Sequence, residues 1–261
     1  MKRTSFLVLS LVPAACSVPS ADIMPRYGSF DVEGHFGITN SSLGAVPVAD
    51  LEQAGFDKDD GYVGLRADFD FGSPVIYASA QSTSHGGAGI LGNDLDSGVA
   101  NQIPAGTAVT TDMDLGLYQL GVTFDLVPSD LIEIGIGLGV TAVDLDARMT
   151  DDAMPLPNVI DTERTLPIPV LALRAGLALG DFEASGLLTG LDLSIDGDRV
   201  SFLDLDLLAR YRFLGGDDHL SGSIGIGYRA LALGVEYEDD GDRIDTDFRF
   251  GGPYLTLVLT L

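Results

Sequence analysis

Tryptophan is absent from the 261-residue chain, cysteine occurs once, histidine three times, and Lys and Arg together number 14 against 39 Asp and Glu. A lone cysteine excludes a disulfide scaffold and any multi-cysteine zinc or iron–sulfur site. The scarcity of cations, at a formal charge of −25, excludes nucleic acid as a partner, because phosphate binding needs a basic face. Outside the extreme N-terminus no apolar run reaches the roughly 20 residues that a membrane-crossing helix requires. Apolar material is nonetheless abundant: 46% of residues are hydrophobic and 33 are glycine, too much for a disordered acidic tail. The length fits one large domain or two small ones.

Met1-Lys2-Arg3 is positive, Phe6 to Val12 is apolar, and the small pair Ala14-Ala15 precedes Cys16. This order predicts an export signal over residues 1–15. Leu11-Val12-Pro13-Ala14-Ala15-Cys16 resembles a bacterial lipobox. The resemblance implies that Cys16 is lipidated and begins the mature chain, with Ser17 matching lipoproteins released to the outer membrane. Ordinary cleavage near Ala15 or Ala21 is the alternative. Residues 16–28 are then expected to form a tether.

From Phe30 onward no stretch has helical period. Segments of period two recur instead, near 29–39, 61–71, 75–83, 112–126, 130–146, 162–179, 182–195, 199–213, 219–237 and 244–261. Gly72-Ser73-Pro74, Pro128-Ser129-Asp130, Gly180-Asp181 and Gly215-Gly216-Asp217-Asp218 read as tight turns. The intervening connections, above all 40–60, 84–111 and 147–161, are long and polar. Alternating short and long connections describe a meander with its two ends in different surroundings.

Parity within the segments assigns their faces. Ile132, Ile134, Ile136, Leu138, Val140 and Ala142 share one side, and Glu133, Gly135, Gly137, Gly139 and Thr141 the other. Leu203, Leu205, Leu207, Ala209, Tyr211 and Phe213 likewise oppose Asp204, Asp206, Arg210 and Arg212. Glycine suits a narrow lumen and bulky aliphatics suit lipid. An arginine facing mid-bilayer would cost about 2–4 kcal/mol, yet Arg66, Arg174, Arg210, Arg212 and Arg229 all sit opposite the aliphatic row of their own strand. The pattern predicts an all-β fold, an antiparallel up-and-down transmembrane β-barrel of ten strands, with eight or twelve as the alternatives. Its lumen is expected to hold a charge network of Asp31, Glu33, Arg66, Asp68, Asp70, Asp125, Glu133, Arg174, Asp204, Asp206, Arg210, Arg212 and Arg229, with Asp192 nearby. Phe30, Phe69, Phe71, Phe124, Tyr211 and Phe213 fit a lipid-facing aromatic girdle at the turn end, and Tyr118 and Tyr228 one at the other interface. A soluble sandwich with a solvated charged face is the competing architecture.

Residues 29–261 thus resemble a small bacterial outer-membrane β-barrel. Gly252-Pro253-Tyr254-Leu255-Thr256-Leu257-Val258-Leu259-Thr260-Leu261 resembles the C-terminal insertion signal of that class, ending in Leu where Phe is usual. The resemblance implies residence in the bacterial outer membrane, with membrane lipid and lipopolysaccharide as partners, and a monomer.

Toward the long-loop end the faces exchange chemistry. Asp144 and Asp146 continue the lipid-side row of their segment, and Glu236 and Glu238 that of theirs, while the inner rows turn apolar. Strands projecting beyond the bilayer would do this. Leu115, Leu117, Val143, Leu145, Leu166, Ile168, Leu231, Leu233, Val235, Phe248 and Phe250 are then expected to enclose an apolar chamber. That chamber is either a packed plug or a ligand vestibule; a bulge in each strand would be a third explanation.

The expected function is non-enzymatic: a narrow channel or a structural membrane anchor with a charge-paired lumen. If the bore is open, excess acid favours cations as the solute. The alternative is a conduit or binding barrel for an apolar small molecule or lipid. A rim-located hydrolase is the third class, since barrels of this kind include proteases and lipid hydrolases. His85 beside Ser82 and Ser84 is the nearest thing to a nucleophile and base, His35 shares parity with Asp31 and Glu33, and His219 sits at a turn. Asp239-Asp240-Gly241-Asp242 lacks the spacing of a calcium loop, so neither metal nor cofactor is expected.

Overall fold

The computed structural model describes residues 19–40, 48–50, 60–90, 92, 95–96, 102–127, 129, 131–151, 159–195, 198–215, 220–239 and 242–261. Its strands are β1 (Ser20–Asn40), β2 (Val48–Asp50), β3 (Asp60–Asp70), β4 (Val75–Ile90), β5 (Leu95–Asp96), β6 (Gln102–Ile103), β7 (Ala108–Asp125), β8 (Ile132–Asp151), β9 (Val159–Leu179), β10 (Phe182–Ile195), β11 (Asp198–Leu214), β12 (Ser221–Asp239) and β13 (Asp242–Thr260). Ten of them form a closed antiparallel barrel. Each long strand pairs with its neighbours in sequence, and β1 closes the wall against β13 from Asp22↔Thr260 to Asn40↔Asp242. β2 pairs with β1 above the end of β3, so both occupy one stave of the wall. β5 and β6 form a separate two-stranded hairpin between β4 and β7.

The first strand begins at Ser20, not near 29. Residues 20–28, expected to be tether, pair with both β3 and β13. Their alternation supports that position: Met24 and Arg26 are buried inside while Pro25 and Tyr27 are exposed. Cys16 and the expected export segment lie outside the described residues, as do His219 and Asp240. β4 extends to Ile90 because Gln81, Thr83 and His85 point in and Ser82 and Ser84 point out. With polar residues on both faces, that half of the strand has no hydrophobic period. The connections after β10 and β12 span only residues 196–197 and 240–241. There, strands running to the tip carry the length that loops were expected to supply, whereas residues 41–59 and 91–107 still separate β1 from β3 and β4 from β7.

The outer wall carries a belt of exposed aliphatic side chains, among them Leu65, Leu120, Ile136, Leu138, Leu171, Leu203, Ile226 and Leu257. Phe69, Phe71, Phe124, Tyr211 and Phe213 border it toward the turn end, and Tyr27, Tyr118 and Tyr228 toward the other. Aromatic rings at those two heights suit the membrane–water interfaces. The end with short turns and both sheet termini is the periplasmic one in barrels of this class.

Parity persists beyond the upper girdle. Burial in β7 alternates unbroken from Val109 to Thr123, and its register with β8 runs without a shift from Val109↔Asp151 to Asp125↔Gly135. The register shift among the described residues is at Arg212/Leu214, near the periplasmic end. No bulge therefore accounts for the exchanged faces in β7 and β8. The wall continues straight into water, where Asp112, Asp114 and Asp146 are exposed outside while Met113, Leu115 and Val143 are buried inside.

Two lumen-facing glycines are set by close approach. The ring of Tyr254 lies over Gly227, its cross-strand partner, and that of Tyr77 over Gly121. A Cβ at either position would overlap the ring.

Candidate functional site: the filled lumen

Three ionic layers cross the bore, starting from the periplasmic end. In the lowest, the Arg210 guanidinium reaches Asp22 at 2.5 Å and both Glu183 oxygens at 2.7 Å, and the Thr260 hydroxyl donates to Asp22 at 2.6 Å. Beside it Arg174 donates to Asp125 at 2.5 Å and to Glu133 at 2.7 Å. A cavity of about 160 Å³ opens here, lined in part by Asp68, Asp70, Glu133, Arg174 and Arg210.

The middle layer is centred on Asp206. It accepts from Arg26 Nη1 at 2.7 Å, from Arg66 Nη1 at 2.9 Å and from the Tyr254 hydroxyl at 2.6 Å. Arg66 also donates through Nε to Asp68 at 2.8 Å. The Arg26 guanidinium lies 4.6 Å from the centroid of the Tyr254 ring, a cation–π contact that offsets part of its desolvation. Asp206 belongs to β11, Arg26 to β1 and Arg66 to β3, so the layer ties opposite sides of the barrel together.

The upper layer joins Arg229 to Asp204 in a fork, Nε to Oδ1 at 2.8 Å and Nη2 to Oδ2 at 2.6 Å. Gln119 donates to the same carboxylate at 2.6 Å and accepts from Arg229 at 3.1 Å, and Gln81 accepts a further Arg229 hydrogen bond. Arg229 is 2% exposed. A fully buried guanidinium is tolerated only with such a complete set of acceptors, and the planar fork is what a carboxylate fits.

Above this layer the bore is apolar. Leu115, Leu117, Val143, Ile168, Leu231, Leu233, Phe248 and Phe250 are buried in one cluster with Phe30, Val32, Tyr62 and Phe202. Leu145 and Val235 pack against it, half-buried. Phe30 stacks on Tyr62 with ring centroids 4.4 Å apart. Leu166 stands on the inward parity of β9 opposite Val143 but is exposed and outside the cluster, as are its neighbours Thr165 and Pro167; the inner face of β9 is covered only from Ile168 onward.

Several expected positions differ from those observed. Asp31 and Glu33 are exposed on the outer wall, and Phe30, expected in the lipid-facing girdle, is buried inside with Val32. The exchange of faces in β1 occurs below Phe30, so a reading that begins there takes the projecting part for the membrane part. Arg212 lies on lumen parity but is exposed at the periplasmic rim. Asp192 is outside, in an exposed pair with Arg199 at 2.9 Å, whose hydrogen bonds hold the carboxyl below its ordinary range. His85 is a buried strand residue with Nε2 3.1 Å from the Thr83 hydroxyl, while Ser82 and Ser84 are exposed on the opposite face. The wall therefore separates that histidine from both serines.

Asp22, Arg26, Gln81, Gln119, Glu183 and Tyr254 belong to the network and were not among the expected residues. Arg26 had a readable signal in the alternation of residues 23–28. Tyr254 had one in its place opposite the row Leu255, Leu257, Leu259. The two glutamines carry no charge to betray an inward position.

No protein-family model matches the chain, and no curated protein matches it in sequence. Solved structures do. The outer membrane protease OmpT from Escherichia coli superposes with a TM-score of 0.57 at 11% identity, covering 93% of this chain and 97% of that one. Ail, the attachment invasion locus protein of Yersinia pestis, aligns over 90% of this chain and 97% of its own at 10% identity, with a TM-score of 0.29. A Pseudomonas aeruginosa FadL homologue aligns over 93% and 90% at 10% identity, also with a TM-score of 0.29. The fold is that of the bacterial outer-membrane β-barrels. The aliphatic belt and its two aromatic borders place it in that membrane.

Proposed function

We propose that the protein is a non-enzymatic, closed barrel that serves as a structural membrane anchor and holds an acidic collar above the bilayer. The filling of the bore supports this reading. Arg26, Asp204, Asp206 and Arg229 are buried across the lumen, and the apolar cluster lies directly above them. An ion moving through would have to break a buried fork and then cross a packed hydrophobic layer, each step strongly unfavourable. Outside, Asp112, Asp114, Asp146 and Glu236 give the collar negative charge. Such a surface resists aggregation and, with divalent ions, bridges to anionic lipopolysaccharide.

Single-channel recording in a planar bilayer tests the closed state. The expected record shows no steps above the noise of a protein-free bilayer at either polarity. Sustained cation-selective openings would instead favour the narrow channel.

A further inference from the structure

The ladder between β9 and β10 stops short. It runs from Phe182↔Leu179 to Gly190↔Leu171, yet β9 continues up to Val159 and β10 to Ile195. Above Leu171 each strand keeps only its other neighbour, β9 pairing with β8 as far as Thr150↔Val159 and β10 with β11 as far as Ile195↔Asp198. Among the described residues no other strand pairs with either edge. The cause lies in the sequence. The Ala178 amide donates to the Leu131 carbonyl at 2.9 Å, so even-numbered residues of β9 turn their amides toward β8 and odd-numbered ones toward β10. The next odd positions above Leu171 are Pro169 and Pro167, which have no amide hydrogen to give.

The gap is a seam in the collar wall that starts where the aliphatic belt ends. Leu171 belongs to the belt, whereas Asp192, just above Gly190 on the same face, is the exposed partner of Arg199. Unpaired strand edges are not tolerated in hydrocarbon, and here water reaches them. The seam uncovers the inside of the wall. Leu166 and Leu193 stand on inward parity at its two edges and are 37% and 38% exposed, while Leu115, Val143 and Leu231 are enclosed elsewhere around the bore. Leu191 and Val200 lie half-buried beside them, and Leu191 packs on the apolar cluster. On the outer face Pro169 and Pro167 continue the exposed apolar row above Leu171.

We infer that the seam takes one acyl chain of a lipid from the outward-facing leaflet, lying between β9 and β10 against Leu166, Leu191, Leu193 and Val200. Continuity with the belt names the occupant. An alkyl chain resting on Leu171 and Pro169 reaches the inner leucines without crossing water. Covering those leucines removes apolar surface from water, which favours the bound chain. A free fatty acid would carry its carboxylate up among Asp144, Asp192 and Glu236, whereas a lipid leaves its headgroup at the bilayer surface. The seam lies above the ionic layers, so an occupant leaves the filled bore below it unchanged.

Because tryptophan is absent, an indole placed at the seam reports on the seam alone. Leu193→Trp and Leu166→Trp barrels are refolded into phosphatidylcholine liposomes whose acyl chains are brominated near their ends, with heat-modifiable migration confirming the fold. Both should lose as much fluorescence, relative to unbrominated liposomes, as Ile136→Trp in the belt. Asp192→Trp, beside Leu193 on the same strand but facing outward, should lose none and should instead be quenched by aqueous iodide. Adding Pro167→Val and Pro169→Val to Leu193→Trp supplies the missing donors, so the ladder can extend and the bromine quenching should disappear. No bromine quenching at Leu193→Trp and Leu166→Trp, equal quenching at Asp192→Trp, or quenching that survives both valines would each overturn the assignment. Quenching by an added bromoalkanoic acid, with none from the brominated lipid, would assign the seam to a free amphiphile and overturn it as well.

Discussion

Asp206→Ala is expected to lower the unfolding free energy by about 3–5 kcal/mol, the usual cost of removing one partner from a buried ion pair. Asp206 accepts from Arg26, Arg66 and Tyr254 at once. Arg66 keeps Asp68 when the carboxylate is lost. Arg26 keeps nothing comparable, since among the described residues its Nε and Nη2 have no hydrogen-bond partner even in the intact protein. The variant therefore strands a guanidinium in the bore. Urea unfolding in detergent or liposomes, followed by heat-modifiable electrophoretic migration, measures the loss. Adding Arg26→Leu should recover most of it, because replacing both members of a buried pair by apolar groups is often neutral. Asp192→Ala, at an exposed pair on the collar, should leave the midpoint in place. An unchanged midpoint in Asp206→Ala would mean that water fills the bore and solvates the arginines.

Leu138→Arg is expected to cost about 2–4 kcal/mol, the penalty for a guanidinium on the lipid face near the bilayer midplane. Leu138 is 62% exposed on the outer wall of β8, within the row Ile132, Ile134, Ile136, Leu138 and Val140, and its partner Val122 lies between Phe124 and Tyr118 of the two girdles. Asp146→Arg lies on the same face of the same strand, above the upper girdle, and should cost about 0–1 kcal/mol. Refolding into liposomes with urea titration reads both values. The contrast between two positions of one parity separates a membrane belt from a soluble wall, on which both arginines would be tolerated alike.

The architecture was readable because its rules are local. Period two names the strands, and parity sorts Ile136 from Gly137 and Arg210 from Tyr211 without any knowledge of the partner strand. The limits of that reading are also local. Asp31 and Glu33 carry charge, like the lumen residues, but their side is set by how far β1 has risen out of the bilayer, and that height depends on register with β3 and β13. Arg26 was passed over, although residues 23–28 alternate, because Pro25 interrupts the lipid-facing row and Met24 puts an apolar residue on the lumen-facing one. Gln81 and Gln119 are uncharged, and their partner Arg229 lies more than one hundred residues away in sequence, at |i−j| = 148 and 110. His85 seemed to share a loop with Ser82 and Ser84; once that segment is a strand, alternation sends the serines to the other side.

The most direct test uses the missing tryptophan, since any introduced indole is the sole such reporter. Ile136→Trp and Asp146→Trp barrels are refolded into liposomes of lipids brominated along the acyl chains, and fluorescence is compared with that in unbrominated lipid. Ile136→Trp should be strongly quenched by the brominated chains and shielded from aqueous iodide, and Asp146→Trp should show the reverse. Iodide quenching of both, with no response to bromine, would show that the aliphatic rows do not touch hydrocarbon.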